Sequence, residues 1–286
     1  CGRVWQLFSC NLVGIFGRDW MLRGFLFGLA IVLVGLAPAR ADGLTSIPAS
    51  APDDPKAFWK AAMEEFYGPY DRGLKCWTAA HDNETLCMRP HLLVRVGTDA
   101  APEHYVAMAG YAVDRDGIRY DCHACGGKLG LAILRPRGDR LELVARNSLA
   151  ADAGSWGVVP SEEAFRVVDL GQGRHGWLME FSYTAQGYTE GGTQVFGPIA
   201  DRIVDLGFIS AYSDNRGTCG EDLGVCYTHH YEIVADPQAA GTGFASLLAR
   251  KVESTRSDAP ETIRIEFSEE EQKYLTPERL EAAIGN

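Results

Sequence analysis

Apolar residues return once per helical turn between Pro55 and Gly68. They are Phe58, Trp59, Ala62, Met63 and Phe66. Asp54 directly before Pro55 is typical of an N-cap followed by the first helical residue, and Gly68 with Pro69 is a stop signal. The stripe therefore predicts an N-terminal amphipathic helix that buries one face against the rest of the domain.

Beyond Gly73 the pattern changes to alternation with period two and to short apolar runs, which are typical of strands. The predicted strands are 92–96, 105–113, 129–134, 141–145, 165–170, 176–183, 193–204, 208–212, 226–234, 244–252 and 262–267. Turn signals rich in Gly and Asp separate them. Strands joined by short turns, with no helix between them, predict a mainly β, antiparallel body.

An antiparallel β-sandwich is the predicted architecture. A propeller-like arrangement of repeated β-sheets is the alternative, because three strand starts resemble one another. They are 104–108, 175–179 and 243–247. An ordinary propeller needs more units than this, which favours the sandwich.

The start of the chain has the layout of an export signal. A basic residue at Arg23, an apolar run over 25–37 and small residues at Ala39 and Ala41 predict a secretory signal peptide over 21–41. The apolar run is too short for a membrane span, so we expect a periplasmic or secreted product with no membrane attachment after cleavage. Residues 1–20 lie upstream of this signal, and we expect them not to belong to the native product.

Three segments follow the predicted signal. They are 42–72, a solvated leader and the N-terminal helix; 73–267, a disulfide-stabilised β domain; and 268–286, a C-terminal helical tail. In the tail, Ser268 with Glu271 fits a capping box and Thr276 precedes a second apolar stripe, so we expect short C-terminal helices.

The charge of the chain limits its partners. The formal net charge is −11, from 38 acidic and 27 basic residues. Such a surface repels phosphate backbones and anionic lipids, and no basic cluster offsets this repulsion. We therefore expect no nucleic-acid partner, and a protein or a small molecule as the ligand.

Six of the cysteines follow the predicted signal and fall into three pairs of near neighbours. An even number of cysteines in an exported chain favours disulfides. The predicted bonds are Cys76–Cys87, Cys122–Cys125 and Cys219–Cys226.

The pair Cys122 and Cys125, with His123 between them, has three interpretations. It resembles the CxxC centre of thioredoxin-like oxidoreductases, which implies Cys122 as the attacking thiolate, Cys125 as the resolving thiol and His123 as the group that favours the thiolate. A glycine pair and a strand-like run follow the motif, however, where that family has a helix. The other two interpretations are half of a metal site, completed by His229 and His230 from another strand, and a structural disulfide, which the sequence favours.

A Gly-rich loop after residue 212 collects oxygen-bearing side chains. They are Asp214, Asn215, Glu221 and Asp222. Oxygen ligands of this kind favour Ca²⁺, although Asp, Asn and Gly also form turns for purely local reasons. A calcium-stabilised extracellular scaffold is therefore one alternative function, and no other cofactor is predicted.

Several enzyme signatures are absent from the sequence: the GxSxG nucleophile elbow, the HExxH zinc helix and the phosphate-binding loop. Aromatic residues crowd the middle of the chain near Gly-rich turns, where exposed rings mark binding surfaces and buried ones form core. They are Trp156, Trp177, Tyr183, Tyr188, Phe196, Tyr212, Tyr227 and Tyr231. The sequence thus favours a binding or interaction module over an enzyme, with thiol–disulfide exchange as the enzymatic alternative.

Overall fold

The computed structural model of the protein describes residues 43–120, 122–221, 224–239 and 243–285. The predicted upstream segment 1–20, the signal peptide 21–41 and Asp222 lie outside the described residues. Within them the chain is mainly β, as predicted.

The strands are β1 (Leu44–Pro48), β2 (Tyr70–Asp71), β3 (Cys76–His81), β4 (Glu84–Thr98), β5 (Ala101–Val113), β6 (Gly127–Arg137), β7 (Arg140–Ala153), β8 (Phe165–Asp169), β9 (His175–Ala185), β10 (Tyr188–Ile199), β11 (Arg202–Asp214), β12 (Thr228–Ala235), β13 (Leu247–Ser254), β14 (Thr262–Ile265), β15 (Phe267–Ser268) and β16 (Lys273–Tyr274). The α-helices are α1 (Pro55–Tyr67) and α2 (Glu278–Ile284).

Two antiparallel meanders follow each other along the chain. The first runs β2-β3-β4-β5-β6-β7, with β1 paired to the outer side of β7. The second runs β8-β9-β10-β11-β12-β13-β14. A single parallel bridge between Arg146 of β7 and Arg202 of β11 joins them into one mixed sheet, so the pairing is antiparallel everywhere except at this bridge among the described strands.

Helix α1 covers one face of the first meander. Its N-cap is Asp54, whose carboxylate accepts hydrogen bonds from the backbone of Lys56 and Ala57 at 3.0 and 3.2 Å, and Gly68 ends it with φ 87°. The apolar stripe of α1 packs on alternate residues of β4, β5 and β6. The buried members of this helix-side cluster include Phe58, Ala62, Met63, Met88, Val106 and Met108.

A central cluster contains residues of both meanders. Strands β5 and β6 are buried on both faces, so the residues that alternate with those of the helix-side cluster belong to it. Its buried members include Tyr105, Leu131, Ile133, Trp177, Met179 and Phe196. Rings of Tyr105 and Trp177 lie 5.1 Å apart, which places one aromatic contact directly between the first and the second meander.

A C-terminal cluster lies on the remaining face of the second meander. It is formed by residues of β9–β14, β16 and α2, and includes Leu206, Tyr231, Ile233, Tyr274, Leu280 and Ile284. Helix α2 thereby packs on strands β11 and β12.

Three expectations from the sequence are wrong in detail. Residues 44–48, expected in a solvated leader, form β1, where Ile47 is fully buried and pairing with β7 satisfies the backbone. The expected strand 193–204 is two strands, because a turn at Ala200, with φ 54°, reverses the chain between β10 and β11.

The segment after Ser268, expected to be a helix, forms the β15–β16 hairpin. Its Ser268 hydroxyl does accept a hydrogen bond from the Glu271 amide at 3.1 Å, but this closes a turn, so α2 is the one α-helix of the described C-terminal segment.

Three disulfides join the near neighbours in sequence. Cys76–Cys87 links β3 to β4 with a Cα–Cα distance of 5.4 Å, and both residues are fully buried. Cys122–Cys125 closes the loop before β6, and Cys219–Cys226 closes the loop between β11 and β12. None of the helices in the described part of the chain has the length and apolar composition that a membrane span requires.

Candidate functional site: an aromatic pocket beside the Cys122–Cys125 loop

A tight turn exposes Trp156 on the surface. The Val158 amide donates to the Ser155 carbonyl at 2.9 Å, and Trp156 and Gly157 have φ of 54° and 65°. A left-handed conformation costs an L residue roughly 1–2 kcal/mol and is rare for a bulky one. The Trp156 side chain is nevertheless 55% exposed, so burial of the ring does not explain why the strained conformation is kept.

Neighbouring groups hold this turn from two sides. The Arg119 guanidinium donates to the carbonyls of Trp156 and Gly157 at 3.0 and 2.8 Å, and it lies 4.5 Å from the centre of the Tyr111 ring. The Gly157 amide donates to the Cys125 carbonyl at 2.7 Å. Backbone strain persists where surrounding contacts over-determine it, and such positions concentrate at ligand sites.

His123 connects the turn to the second meander. Its ring centre lies 5.1 Å from that of Trp156 and 5.0 Å from that of Tyr183. The Tyr183 hydroxyl is 3.1 Å from His123 Nδ1, within hydrogen-bond distance. The Cys122–Cys125 loop and the Trp156 turn therefore meet strand β9 through one imidazole ring.

Tyr183 also lines a pocket of about 490 Å³ between β9, β10, β11 and α2. The aromatic residues around this aromatic pocket are Phe181, Tyr183, Phe208, Tyr212 and Tyr227. Glu190, Ser210, Ser213 and Glu281 supply its polar groups. Its volume and its lining of aromatic rings with a few polar groups are typical of small-molecule sites.

The strand register explains why these side chains converge. Tyr183 of β9 pairs with Glu190 of β10, and Phe181 pairs with Gly192, so all four positions face the same side of the sheet. A Cβ at Gly192 would collide with the backbone of β11 and approach the Phe208 ring to 2.8 Å. Glycine at this point leaves space for Phe181 and Phe208, whose ring centres are 5.2 Å apart.

Helix α2 closes one side of the pocket and is fixed at both ends. The Ser210 amide of β11 donates to the Thr276 hydroxyl at 3.0 Å, just before the helix. Arg256 donates to the Ala282 carbonyl at 2.9 Å, near its end. These contacts hold Glu281 and Ile284 where they line the pocket.

The aromatic residues singled out in the sequence separate into two groups. Trp177, Phe196 and Tyr231 are core, each at most 1% exposed. Tyr183, Tyr212 and Tyr227 line the aromatic pocket, and Tyr188 lies at the nearby β9–β10 turn. Trp156 does not line the pocket but contacts His123 beside it, and we call this position the Trp156 rim.

The Cys122–Cys125 pair lies in an exposed tight turn, in which the Cys125 amide donates to the Cys122 carbonyl at 2.9 Å. Strand β6 begins at Gly127, so the motif does not precede a helix. The redox interpretation therefore lacks the helix N-terminus that favours a thiolate in thioredoxin-like centres. It stays a prediction, and the local geometry is that of a clip that positions His123.

Asp214 of the predicted calcium loop is buried and already has three donors. Its carboxylate accepts from the Tyr212 hydroxyl, from the Arg216 amide at 3.0 Å and from the Arg216 guanidinium at 3.1 Å. Burial opposes ionisation, but the hydrogen bonds from Tyr212 and Arg216 outweigh it and hold the pKa of Asp214 below its usual value.

Asn215 is likewise engaged, since its side-chain amide donates to the Val225 carbonyl at 2.9 Å and accepts from the Tyr227 amide at 2.7 Å. Glu221 is exposed, and Asp222 lies outside the described residues. The oxygens of Asp214 and Asn215 that calcium would need thus serve to shape the loop next to Tyr227. Calcium binding stays a prediction.

His229 and His230, the other predicted metal ligands, differ in environment. His229 is buried with Nδ1 2.8 Å from the Ser254 hydroxyl, and burial lowers its pKa. His230 packs against the Tyr212 ring at 5.4 Å. Among the described residues, no group of three or more His, Cys, Asp or Glu side chains is arranged to hold a metal ion.

Comparison with known protein families, with characterised proteins and with solved structures gives no match to this chain. The function is therefore argued from the site alone.

Several residues of the site were missed by the sequence reasoning. Phe181, Glu190 and Phe208 become neighbours through strand register, and Glu281 through the docking of α2. Alternation along β9 does place Phe181 on the same face as Tyr183, so Phe181 could have been predicted from the sequence. The contacts of Arg119 with a turn nearly forty positions later leave no signal in the sequence.

Replacing Trp156 is expected to reveal the backbone strain of its turn. We expect Trp156→Gly to be more stable than Trp156→Ala by about 1 kcal/mol, because only glycine adopts φ 54° without a Cβ penalty. Urea denaturation of both variants measures this difference. Equal stability of the two would show that the turn is unstrained or that it relaxes in the alanine variant.

Proposed function

We propose that the protein is an exported, disulfide-stabilised binding module whose ligand site is the aromatic pocket with its Trp156 rim. The observation that carries this proposal is a strained, exposed tryptophan whose ring contacts lead through His123 and Tyr183 into the pocket. Strained backbone positions concentrate at ligand sites, and exposed tryptophan rings are common binding contacts, which supports a role of Trp156 in binding.

Three observations support the remaining parts of the proposal. Three disulfides formed by all six cysteines of the described chain favour an oxidising compartment, such as the periplasm or the extracellular medium. The signal-like segment 21–41 favours the same location. The central cluster, with residues from both meanders, supports the two-layered β-sandwich as the architecture.

Binding of the neutral fluorescent dye Nile red tests the site. We expect a blue shift in its emission on binding, and an affinity about tenfold lower in Phe208→Ser, because that ring lines the pocket while 37% of it is exposed and its loss leaves the core intact. Fluorescence titration measures the dissociation constants.

Tyr188→Ser is the matched control, since Tyr188 is 48% exposed on the same meander and does not line the pocket. It should bind the dye like the unmodified protein. Equal weakening in both variants, or no change in dye emission with any protein, would contradict the proposed site.

A further inference from the structure

We infer that the aromatic pocket takes an organic cation with an apolar body, of the arylalkylammonium class. This inference rests on the proposed function and specifies its ligand. The only charged side chains among the described lining residues are two carboxylates, Glu190 from β10 and Glu281 from α2. Two separate elements thus bring the same charge to one cavity.

Neither carboxylate is neutralised within the described part of the chain. Glu190 and Glu281 have no ion-pair partner and no side-chain hydrogen bond among the described residues, and both are exposed. By contrast, Arg216, three residues after the lining residue Ser213, is already bound to Asp214 and to the Tyr212 hydroxyl. Arg279, two residues before Glu281 in α2, does not line the aromatic pocket and lies instead in a separate cavity with Arg256 and Asp258. The negative potential of the two glutamates is therefore available to a ligand.

The aromatic lining favours the same class of ligand. The faces of Phe and Tyr rings are negative, and a cation over such a face is attracted most strongly where water is displaced. Phe181, Tyr183 and Phe208 also provide contact for an apolar body, which an inorganic cation lacks. An ammonium group near the glutamates with an aryl body against the rings satisfies both parts of the lining.

The charge of the whole chain acts in the same direction. With a net charge of −11, the protein attracts cations at long range and repels anions. An anionic ligand would have to approach this surface and then place its charge beside Glu190 and Glu281. An anion of the same size and shape is therefore the least suitable occupant.

Three ligands of similar size and shape test the inference: phenethylammonium, which is charged at neutral pH, neutral 2-phenylethanol and anionic phenylacetate. NMR titration of the intact protein measures each dissociation constant. We expect phenethylammonium to bind about tenfold more tightly than 2-phenylethanol, and phenylacetate to bind most weakly. In Glu190→Gln/Glu281→Gln the advantage of the cation should fall to about twofold or less, while 2-phenylethanol binds as before.

The double variant Glu270→Gln/Glu271→Gln removes the same charge from an exposed turn that does not line the pocket, and should keep the preference. Equal affinities for the three ligands, or an equal effect of the two double variants, would overturn the inference. If Nile red still binds at the Phe208 site in that case, the proposed function stands and only the ligand class is wrong. If neither Nile red nor any of the three ligands binds, both fail.

Discussion

Trp177→Ala is expected to lower the free energy of unfolding by about 3–5 kcal/mol. Trp177 is fully buried in the central cluster and contacts Tyr105 of the other meander at 5.1 Å between ring centres. Truncation removes the largest fully buried side chain among the described residues and leaves a cavity in the close-packed central cluster. Urea denaturation, monitored by far-UV circular dichroism, measures the loss.

Two further variants make this test specific to packing between the meanders. Tyr188→Ala removes an aromatic ring from the same meander at an exposed position, so we expect a change within about 0.5 kcal/mol. Trp177→Phe keeps most of the ring and removes an indole Nε1 that is buried without a partner among the described residues, so it should cost less than Trp177→Ala. A loss below about 1 kcal/mol for Trp177→Ala would mean that the two meanders are not held together here.

Local signals in the sequence were sufficient where one element determines its own structure. Asp54, Pro55 and Gly68 mark both ends of α1 because capping depends on residues that are adjacent in the chain. Alternation identified strand segments from the second half of β4 to β14 for the same reason, since side-chain direction follows from backbone geometry alone, but it did not identify β2, β3 or the first half of β4.

Errors arose where a partner distant in sequence decides the structure. Leu44–Pro48 is short and polar enough to read as a leader, and it becomes β1 because β7 offers an unpaired edge. The turn at Ala200 has no glycine at its left-handed position, so the boundary between β10 and β11 was not visible. Ser268 forms the local hydrogen bond of a cap, but pairing with Lys273 makes it part of a hairpin.

The candidate site combines two features that the sequence displayed separately. The Cys122–Cys125 motif and the aromatic residues were both visible, and the contact between His123 and Tyr183, sixty positions apart, joins them. Neither periodicity nor spacing reports a contact between a loop of the first meander and a strand of the second. The carboxylates that define the ligand class, Glu190 and Glu281, were equally hidden, because their proximity depends on how α2 docks against β11.

The double variant Cys76→Ala/Cys87→Ala is expected to lower the free energy of unfolding by about 3 kcal/mol, and Cys122→Ala/Cys125→Ala by about 2 kcal/mol. The difference arises because the first bond closes a loop with a sequence separation of 11 and the second one of 3. Loss of a longer cross-link returns more conformational entropy to the unfolded chain. Denaturation of both variants, with the unmodified protein as reference, measures the two values.

Burial should increase this difference further. Both Cys76 and Cys87 are completely buried, so their truncation also removes packing, whereas Cys122 is exposed. If Cys122→Ala/Cys125→Ala were the more damaging pair, the Cys122–Cys125 clip would stabilise far more than its own loop. Since this loop contacts the second meander through His123, dye binding should then be lost together with stability. Unchanged stability with lost dye binding would instead assign the clip to positioning His123 at the pocket rim.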